Sequence, residues 1–343
     1  MTPRTRIENL LQGLPIDRPP FYPAIYDYKA TLAGADLHLF GQNEAEMESV
    51  LGLEVKDLNV EMLTSAYDIY NVEAEAVGGL VLRDPVIGMP DIRNPLIQTL
   101  DEVRSLEVPE SMSGRMDLFV RAALSAEQLY GQTIPVRGGL SGPFSMASKI
   151  FPREELLMAT LMNPNGLSTL LRFCTNVIKV YLDGFLKLGL GAAIFDSFIA
   201  PPMLSPDLYT DLVLPLHQEL FEAQKSHGIA LRTLIAGGNT LPLLPSLSRC
   251  GANQLLLDYN IPLEQVDEVL TSYPEILFRV NLSPALFLTS PEEIRNKVIH
   301  TLSVVGERKN LILGTGILIP GTPKQNIQAA RQALTSFFGL YQI

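Results

Sequence analysis

The sequence is poor in the residues that build the commonest catalytic metal sites. Its 343 residues include only four histidines, His38, His217, His227 and His300. They are scattered and form no HxH, HxxxH, CxxC or HxC spacing, which disfavours a conventional zinc site. No histidine stands at the end of an apolar run and no GxSxG motif occurs, which disfavours a Ser-His-Asp triad.

Excess positive charge and long apolar runs are also missing. The chain has 26 basic and 37 acidic residues, a net charge of −11, which argues against nucleic acid or an anionic membrane as a partner. No stretch approaches the ~18 uncharged apolar residues of a membrane span, and the N-terminal MTPRTRIENLLQG lacks an apolar signal core. Cys174 and Cys250 are too few for a disulfide framework. We therefore expect a cytoplasmic protein with free thiols.

What the sequence does contain is a repeated alternation of short apolar runs with segments of helical spacing. The eight apolar runs are residues 21–26, 66–72, 134–140, 192–198, 230–236, 254–258, 276–281 and 311–315. Apolar strands separated by helices predict a parallel sheet covered on both faces. Eight such units predict one α/β domain over residues 1–343. We expect a (β/α)8 TIM barrel with an N-terminal helix and elaborated loops over its C-terminal mouth.

In a barrel of this kind the functional side chains lie at the C-terminal strand ends, where the βα loops converge. The polar and aromatic residues at these predicted ends are Tyr26, Asp27, Tyr28, Lys29, Asp68, Tyr70, Asn71, Glu73, Ser141, Asp196, Ser197, Asn239, Asp258, Asn260, Asn281 and Thr315. For Asp196 two interpretations stay open, because a strand-end carboxylate can bind a substrate or cap a loop.

Segments along nearly the whole chain resemble the uroporphyrinogen decarboxylase superfamily. They are LLQGLPIDRPP, AEAVGG, YGQTIPVRGGLSGPFSMA, IFDSF, MLSPDLYTDLVLPLH, AGGNT, VNLSPALFLTSPEEI and GTGILIPGTPKQNIQAARQA. Their order and spacing follow the superfamily, whose fold is a (β/α)8 barrel with its site at the C-terminal mouth. The resemblance therefore agrees with the fold that the apolar pattern predicts.

The decarboxylases of this superfamily carry two arginines after the first strand, which hold the carboxylates of a tetrapyrrole. Here the equivalent stretch, residues 25–29, offers only Lys29 and an aliphatic residue. A lysine is a point charge and cannot supply a bidentate fork. The family's tyrosine after the Gly-Pro loop is matched by Lys149, and its C-terminal GHG by residues 314–316. Only the aspartate after the second strand has a match, Asp68, so decarboxylation of an octa-acid fits poorly.

The other branch of the superfamily contains corrinoid-dependent methyltransferases. Its thiol-methylating members bind zinc through LHxCG and a later cysteine, and these ligand positions fall on Ile235, Gly237 and Gly316. We therefore expect no zinc at that site. PAIYDYKA and DIYNVEAEAVG are similar to the ether-cleaving members, the methyltransferase components of anaerobic aromatic O-demethylases.

The resemblance thus implies transfer of a methyl group from a methoxylated aromatic donor to cob(I)alamin on a partner corrinoid protein. One alternative is a metal-free decarboxylase of a tetrapyrrole or a smaller acid, with Lys29, Lys149 and Arg232 holding carboxylates. Another is a non-enzymatic binding module for a corrinoid or a tetrapyrrole. A homodimer is compatible with the fold, and no nucleic acid or membrane partner is expected.

Three groups of site residues follow from the methyltransferase hypothesis. Those expected near the reacting ether oxygen are Asp68, Tyr70, Asn71, Asp196 and Asn281. Those expected to bind the donor are Tyr26, Tyr28, Lys29, Ser141 and Arg232, although Arg232 is alternatively an ion-pair partner inside the barrel. Those expected against the corrin ring are Gly237, Gly238, Asn239, Thr240, Thr315 and Gly316, and a simple glycine turn is the alternative for residues 237–240.

Overall fold

Eight short parallel strands form the centre of the molecule. The computed structural model describes residues 1–86 and 88–340. The strands are β1 (Phe21–Ala24), β2 (Leu63–Ser65), β3 (Val136–Ser141), β4 (Ala192–Phe195), β5 (Leu234–Ile235), β6 (Gln254–Leu257), β7 (Leu277–Leu282) and β8 (Leu311–Ile317). Almost all their residues are buried, as expected for a parallel sheet covered by helices.

The strands pair in the circular order of a (β/α)8 barrel. One ladder runs β2-β3-β4-β5 and the other β6-β7-β8-β1. A parallel bridge between Thr233 and Gln254 joins β5 to β6. No hydrogen-bonded ladder links β1 to β2 in residues 1–86 and 88–340. The predicted α/β class and barrel order are therefore confirmed.

The helices cover the outside of the strands and extend over both ends. They are α1 (Pro3–Leu11), α2 (Tyr28–Ala33), α3 (Glu44–Leu53), α4 (Ile69–Ala76), α5 (Arg115–Tyr130), α6 (Pro143–Ile150), α7 (Arg153–Met162), α8 (Pro164–Leu186), α9 (Pro206–Leu208), α10 (Leu214–Ser226), α11 (Leu244–Leu247), α12 (Leu263–Ser272), α13 (Pro291–Val305) and α14 (Lys324–Leu340). None of the helices described is long and apolar enough to cross a membrane.

The N-terminal helix α1 closes the bottom of the barrel. Its Ile7 and Leu10 pack in one cluster with Tyr22, Leu277 and Ile312 from the strands. The mouth, in contrast, has its own apolar cluster, formed by Ala24, Tyr26, Ala66, Ile69, Ala193, Phe195, Ile235 and Leu256. Burial of α1 therefore leaves the C-terminal end as the open face of the barrel.

The second predicted strand is the main error in the predicted element order. Residues 66–72 were expected to be a strand, but β2 is Leu63–Ser65 and α4 begins at Ile69. Asp68 lies between them in a left-handed conformation, with φ 52° and ψ 45°. That backbone geometry ends the extended run, so the apolar residues of α4 are helical core rather than strand.

Candidate functional site

A cavity of about 610 Å³ opens at the C-terminal ends of the strands. Its aromatic wall includes Tyr26, which meets Phe195 edge to face with ring centroids 5.0 Å apart. Four carboxylates also line it, Asp27, Asp68, Asp91 and Asp258, against two cations, Lys149 and Arg279. The cavity therefore combines an aromatic surface with an acidic rim.

Asp27 lies at the start of α2, directly after β1. Its side chain makes no capping hydrogen bond to that helix. Burial raises the pKa of Asp27 to about 6, and the nearby negative charge of Asp68 adds to the rise. A carboxyl group with such a pKa is partly protonated near neutral pH, so Asp27 can donate a proton inside the cavity.

Asp68 is held in place by two neighbours. The guanidinium of Arg115 donates to its Oδ2 over 2.8 Å, and the amide of Asn71 donates to its Oδ1. The same amide donates to the carbonyl of Pro90 over 3.0 Å. Burial raises the pKa of Asp68, while the charge of Arg115 opposes that rise. Asp68 is thus a fixed, partly compensated charge beside Asp27.

Tyr70 is a hydrogen-bonding group on the same side of the cavity. Its hydroxyl is hydrogen-bonded to Ser197 Oγ at 2.8 Å. Burial raises the pKa of Tyr70 to about 12, so its hydroxyl stays protonated at neutral pH. It can therefore act as a neutral hydrogen-bond donor.

The cavity brings together eight of the predicted site residues. They are Tyr26, Asp68, Tyr70, Asn71, Gly237, Asn281, Thr315 and Gly316. Asp68, Tyr70 and Asn71 reach it from the start of α4 rather than from a strand, because the loop after β2 turns into the mouth. Thr315 is fully buried, and its hydroxyl accepts a hydrogen bond from the Ala24 amide over 2.9 Å.

Asp196, which was expected near the reacting ether, does not line this cavity. Its carboxylate accepts from the amides of Phe144 and Ser145 at the start of α6, over 3.3 Å and 2.7 Å. His217 Nε2 lies 3.0 Å from its Oδ2. The positive end of the helix dipole stabilises an anion there. The loop-capping interpretation of Asp196 is therefore the one that the geometry favours.

Tyr28 and Lys29 were also predicted to bind the donor, but their side chains are bonded outside the cavity. The Tyr28 hydroxyl donates to the carbonyl of Thr322 over 2.8 Å. The ammonium of Lys29 is buried in an ion pair with Glu54. Neither side chain lines the cavity at the mouth.

Ser141 and Arg232 are also outside the cavity. Ser141 is fully buried and its amide donates to Glu73 Oε1 over 2.8 Å. Arg232 precedes β5, and its guanidinium donates to the carbonyls of Gly251 and Ile229. Since Arg232 comes before the strand begins, it lies toward the opposite end of the barrel from the mouth.

Of residues 237–240, only Gly237 lines the cavity. Gly238 has a φ of 78°, and the Asn239 side chain accepts from the Leu241 amide over 3.1 Å. Thr240 is buried. Gly238, Asn239 and Thr240 thus form a turn outside the cavity lining, and their contact with a corrin ring stays a prediction.

Sequence reasoning missed several residues of the site. Arg115 was not considered, because it is 47 positions from Asp68 and lies on the next long helix. Arg279 was not considered either, although a charged residue inside the apolar β7 sequence LFRVNL was a visible signal. Asp91 approaches from a loop and pairs with Lys149 over 2.6 Å. Asp27 and Asp258 were recognised only as strand-end residues.

The chain matches the family description "Uroporphyrinogen decarboxylase (URO-D)" over residues 2–337. It belongs to the uroporphyrinogen decarboxylase family. The family prediction is therefore confirmed.

Relatives in this family carry two kinds of name. The methylcobamide:CoM methyltransferase MtbA of Methanosarcina acetivorans is 23% identical over 350 residues, which covers 95% of this chain and 96% of the relative. A uroporphyrinogen decarboxylase of Koribacter versatilis is 28% identical over 288 residues, covering 79% and 80%.

Among solved structures, a methyltransferase from Methanosarcina mazei superposes with a TM-score of 0.85 at 21% identity, over 98% of this chain and 99% of that one. A B12-independent methionine synthase from Shewanella sp. W3-18-1 gives a TM-score of 0.55 at 12% identity, over 87% and 88%. These likenesses bear on the fold, and the first extends over almost the entire barrel.

Proposed function

We propose that this protein is a corrinoid-dependent methyltransferase. It moves a methyl group from a methoxylated aromatic ether to cob(I)alamin carried by a partner corrinoid protein in the cytoplasm. The methylcobamide methyltransferase relative, which covers 95% of the chain, supports the reaction class. The observation that carries the donor class is the unpaired carboxyl of Asp27, whose pKa of about 6 suits protonation of a departing oxygen.

The zinc site of thiol-methylating members does not fit the residues of this cavity. The three positions that the resemblance assigns to its ligands, Ile235, Gly237 and Gly316, all line the cavity wall. Their side chains offer no nitrogen, sulfur or oxygen. Within residues 1–86 and 88–340, no group of three or more His, Cys, Asp or Glu side chains could hold a metal ion. Activation of a thiol acceptor as a zinc thiolate therefore has no support in these residues.

Of the two glycines on the cavity wall that we propose to lie against a corrin ring, only Gly237 has room for a contact. A Cβ added at Gly237 would meet no atom closer than 3.6 Å, so this backbone is open toward the cavity. At Gly316, in contrast, a Cβ would lie 2.7 Å from Pro284 Cδ, so protein packing already requires that glycine. When bound, the corrinoid supplies a nucleophilic metal centre that accepts the methyl group. Gly237 would lie against its ring.

The chain's own residues orient the donor and handle its proton. Tyr26 forms the wall on which an aromatic ring packs, and Tyr70 supplies a hydrogen-bond donor. As the methyl C–O bond breaks, Asp27 gives its proton to the departing oxygen, which leaves as a phenol. Asp27 then regains a proton from water. The cavity holds the methyl donor next to the proton of Asp27, and this orientation raises the rate of reaction.

A decarboxylase is the second candidate, favoured by the Koribacter relative and by two cavity cations. Of the expected carboxylate holders Lys29, Lys149 and Arg232, however, only Lys149 reaches the cavity, and it is paired with Asp91. Four carboxylates on the cavity wall would repel a polyanion. The balance of charge thus favours the methyltransferase.

The test is an assay of methyl transfer from a panel of methoxyarenes to cob(I)alamin. The visible spectrum of the corrinoid and the amount of phenol released are its two readouts. We expect both signals to appear together and to require the protein. The matched control omits the corrinoid. Absence of transfer across the panel, or turnover of an acid without corrinoid, would refute the proposal.

A further inference from the structure

Arg279 is a buried arginine at the inner end of the cavity. It is the third residue of β7 and lies in register with Leu256 on β6 and Ile312 on β8. Its side chain lines the cavity although the residue is only 4% exposed. Its Nε has no hydrogen-bond partner, and its guanidinium forms no ion pair with any carboxylate in the described part of the chain.

A second buried arginine, Arg137 on β3, adds to the positive charge. Its guanidinium donates to Thr64 Oγ1, Thr233 Oγ1 and Gln254 Oε1, all of which are neutral groups. Burial lowers the pKa of Arg137, and the nearby charge of Arg279 adds a smaller lowering. Two guanidinium groups are thus buried in the barrel without a bonded carboxylate. Buried charges of this kind are normally paired.

Two of the nearby carboxylates, those of Glu54 and Asp68, are bonded to other cations. Glu54, which borders the small space beneath Arg279, is bonded to Lys29. Asp68 is bonded to Arg115 over 2.8 Å. The counter-charge of Arg279 is therefore not supplied by these acids.

Beside Arg279 lie a second polar side chain and open space, as expected in a binding site. Asn281 follows two residues later, so its side chain is on the same face of β7. It also lines the cavity, and its Oδ1 has no partner. Across on β8, a Cβ at Gly314 would lie 2.7 Å from Arg279 Cγ and 2.8 Å from Asn281 Oδ1. The absence of a side chain at Gly314 gives both groups their room.

We propose that Arg279 binds a carboxylate of the methyl donor, and that the Asn281 Nδ2–H donates a second hydrogen bond to the same carboxylate. The guanidinium fork suits bidentate binding of a carboxylate. This inference rests on the proposed function and narrows its substrate class to methoxylated aromatic monocarboxylates. Arg279 lies within the barrel, whereas Asp27 follows the end of β1. The donor therefore extends between them, with its carboxylate inside and its methoxy group at the mouth.

The test compares two ligands of nearly the same shape, 4-methoxybenzoate and 4-methoxybenzamide, by isothermal titration calorimetry. We expect the wild-type protein to bind the benzoate about 10- to 100-fold more tightly, as for a hydrogen bond to a charged group. Arg279→Gln should remove that preference while changing benzamide affinity little. Arg249→Gln is the matched control, because Arg249 is exposed and donates to the Pro245 carbonyl, so this variant should keep the preference.

Two further measurements separate this inference from the proposed function. Arg279→Lys keeps the charge but loses the fork, and should show an intermediate preference even if Arg279→Gln does not fold. Equal binding of the two ligands by wild type, or methyl transfer from neutral methoxyarenes as fast as from methoxybenzoates, would overturn the role of Arg279. Arg279-dependent benzoate binding without any methyl transfer would support the carboxylate site and refute the methyltransferase.

Discussion

At the scale of single residues, Asp27 combines the properties of a proton donor. It faces the cavity, makes no capping hydrogen bond and has a pKa of about 6. Asp258 also faces the cavity, but its carboxylate accepts hydrogen bonds from the amide and side chain of Asn260 over 3.0 Å and 2.8 Å. The two aspartates therefore differ in whether the carboxyl group is free to react.

Replacement of Asp27 by Asn should lower the rate of methyl transfer from an ether by about 10²- to 10⁴-fold, the usual contribution of a general acid. Asp258→Asn should change the rate far less. In the wild type, the rate should fall as the pH rises above about 6, since Asp27 loses its proton. That decline should be missing in Asp27→Asn. A pH profile that is the same in both proteins would contradict the assignment.

Replacement of Asp27 by Asn should lower the rate of methyl transfer but raise the stability of the folded protein. The folded-state pKa of Asp27 is raised above its ordinary value of 3.8, so the folded protein holds a proton that the unfolded chain releases between pH 4 and 6. The contribution of Asp27 to stability therefore falls as the pH rises through that window. Above pH 6, Asp27→Asn should increase the free energy of unfolding by up to about 3 kcal/mol. Urea titration of both proteins at pH 4 and pH 7 measures this difference in the free energy of unfolding. The same difference at the two pH values would argue against the assigned pKa.

At the scale of elements, the start of α4 depends on its neighbour α5. Asp68 lies in a left-handed conformation just before α4, and Arg115 at the start of α5 bonds its carboxylate. Arg115 is only 8% exposed, whereas Arg121 on the same helix is 51% exposed in its pairs with Glu44 and Asp117. The buried Arg115–Asp68 pair therefore holds two helices together at the mouth, whereas the exposed pairs of Arg121 are screened by water.

Arg115→Gln should lower the free energy of unfolding at pH 7 by about 3–5 kcal/mol, because it leaves a buried carboxylate without its cation. Arg121→Gln should cost less than about 1 kcal/mol, as for exposed ion pairs. Chemical denaturation of the two variants provides the comparison. Equal losses would show that Arg115 is no more important than a surface arginine.

The sequence predicts elements better than it predicts which side chains reach the site. Residues of the second predicted strand, Asp68 and Asn71, line the cavity even though the strand ends earlier, because the following turn lies at the same end of the barrel. Arg232 fails for the opposite reason, since only Leu234–Ile235 is a strand. Lys29 pairs with Glu54, 25 positions away, and such a contact has no local signal. Tertiary packing decides these cases.

At the scale of the whole molecule, charge selects the class of ligand. The net charge is −11, and four carboxylates line the cavity against two cations. One of those cations is paired with Asp91, which leaves Arg279 as the cation proposed to bind an anionic group. A ligand with one carboxylate is compatible with this balance, and one with many carboxylates is not.

An octacarboxylate tetrapyrrole such as uroporphyrinogen should therefore bind poorly and lose no carboxyl groups. Its affinity for the cavity should be at least about 100-fold lower than that of 4-methoxybenzoate. Each tenfold step in affinity corresponds to about 1.4 kcal/mol of binding free energy. Competition calorimetry and product analysis provide the measurement. Detectable decarboxylation would support the second candidate function.

The crowding at Gly316 limits how this cavity wall can change. Gly237 could accept a side chain, since a Cβ there has at least 3.6 Å of clearance. A cysteine at Gly316 would instead meet Pro284 Cδ at 2.7 Å and Tyr259 Cε1 at 2.9 Å. Rebuilding a three-ligand wall would thus require Pro284 and the Tyr259 side chain to shift first. Stepwise substitution toward a zinc site is therefore obstructed at its third position by packing.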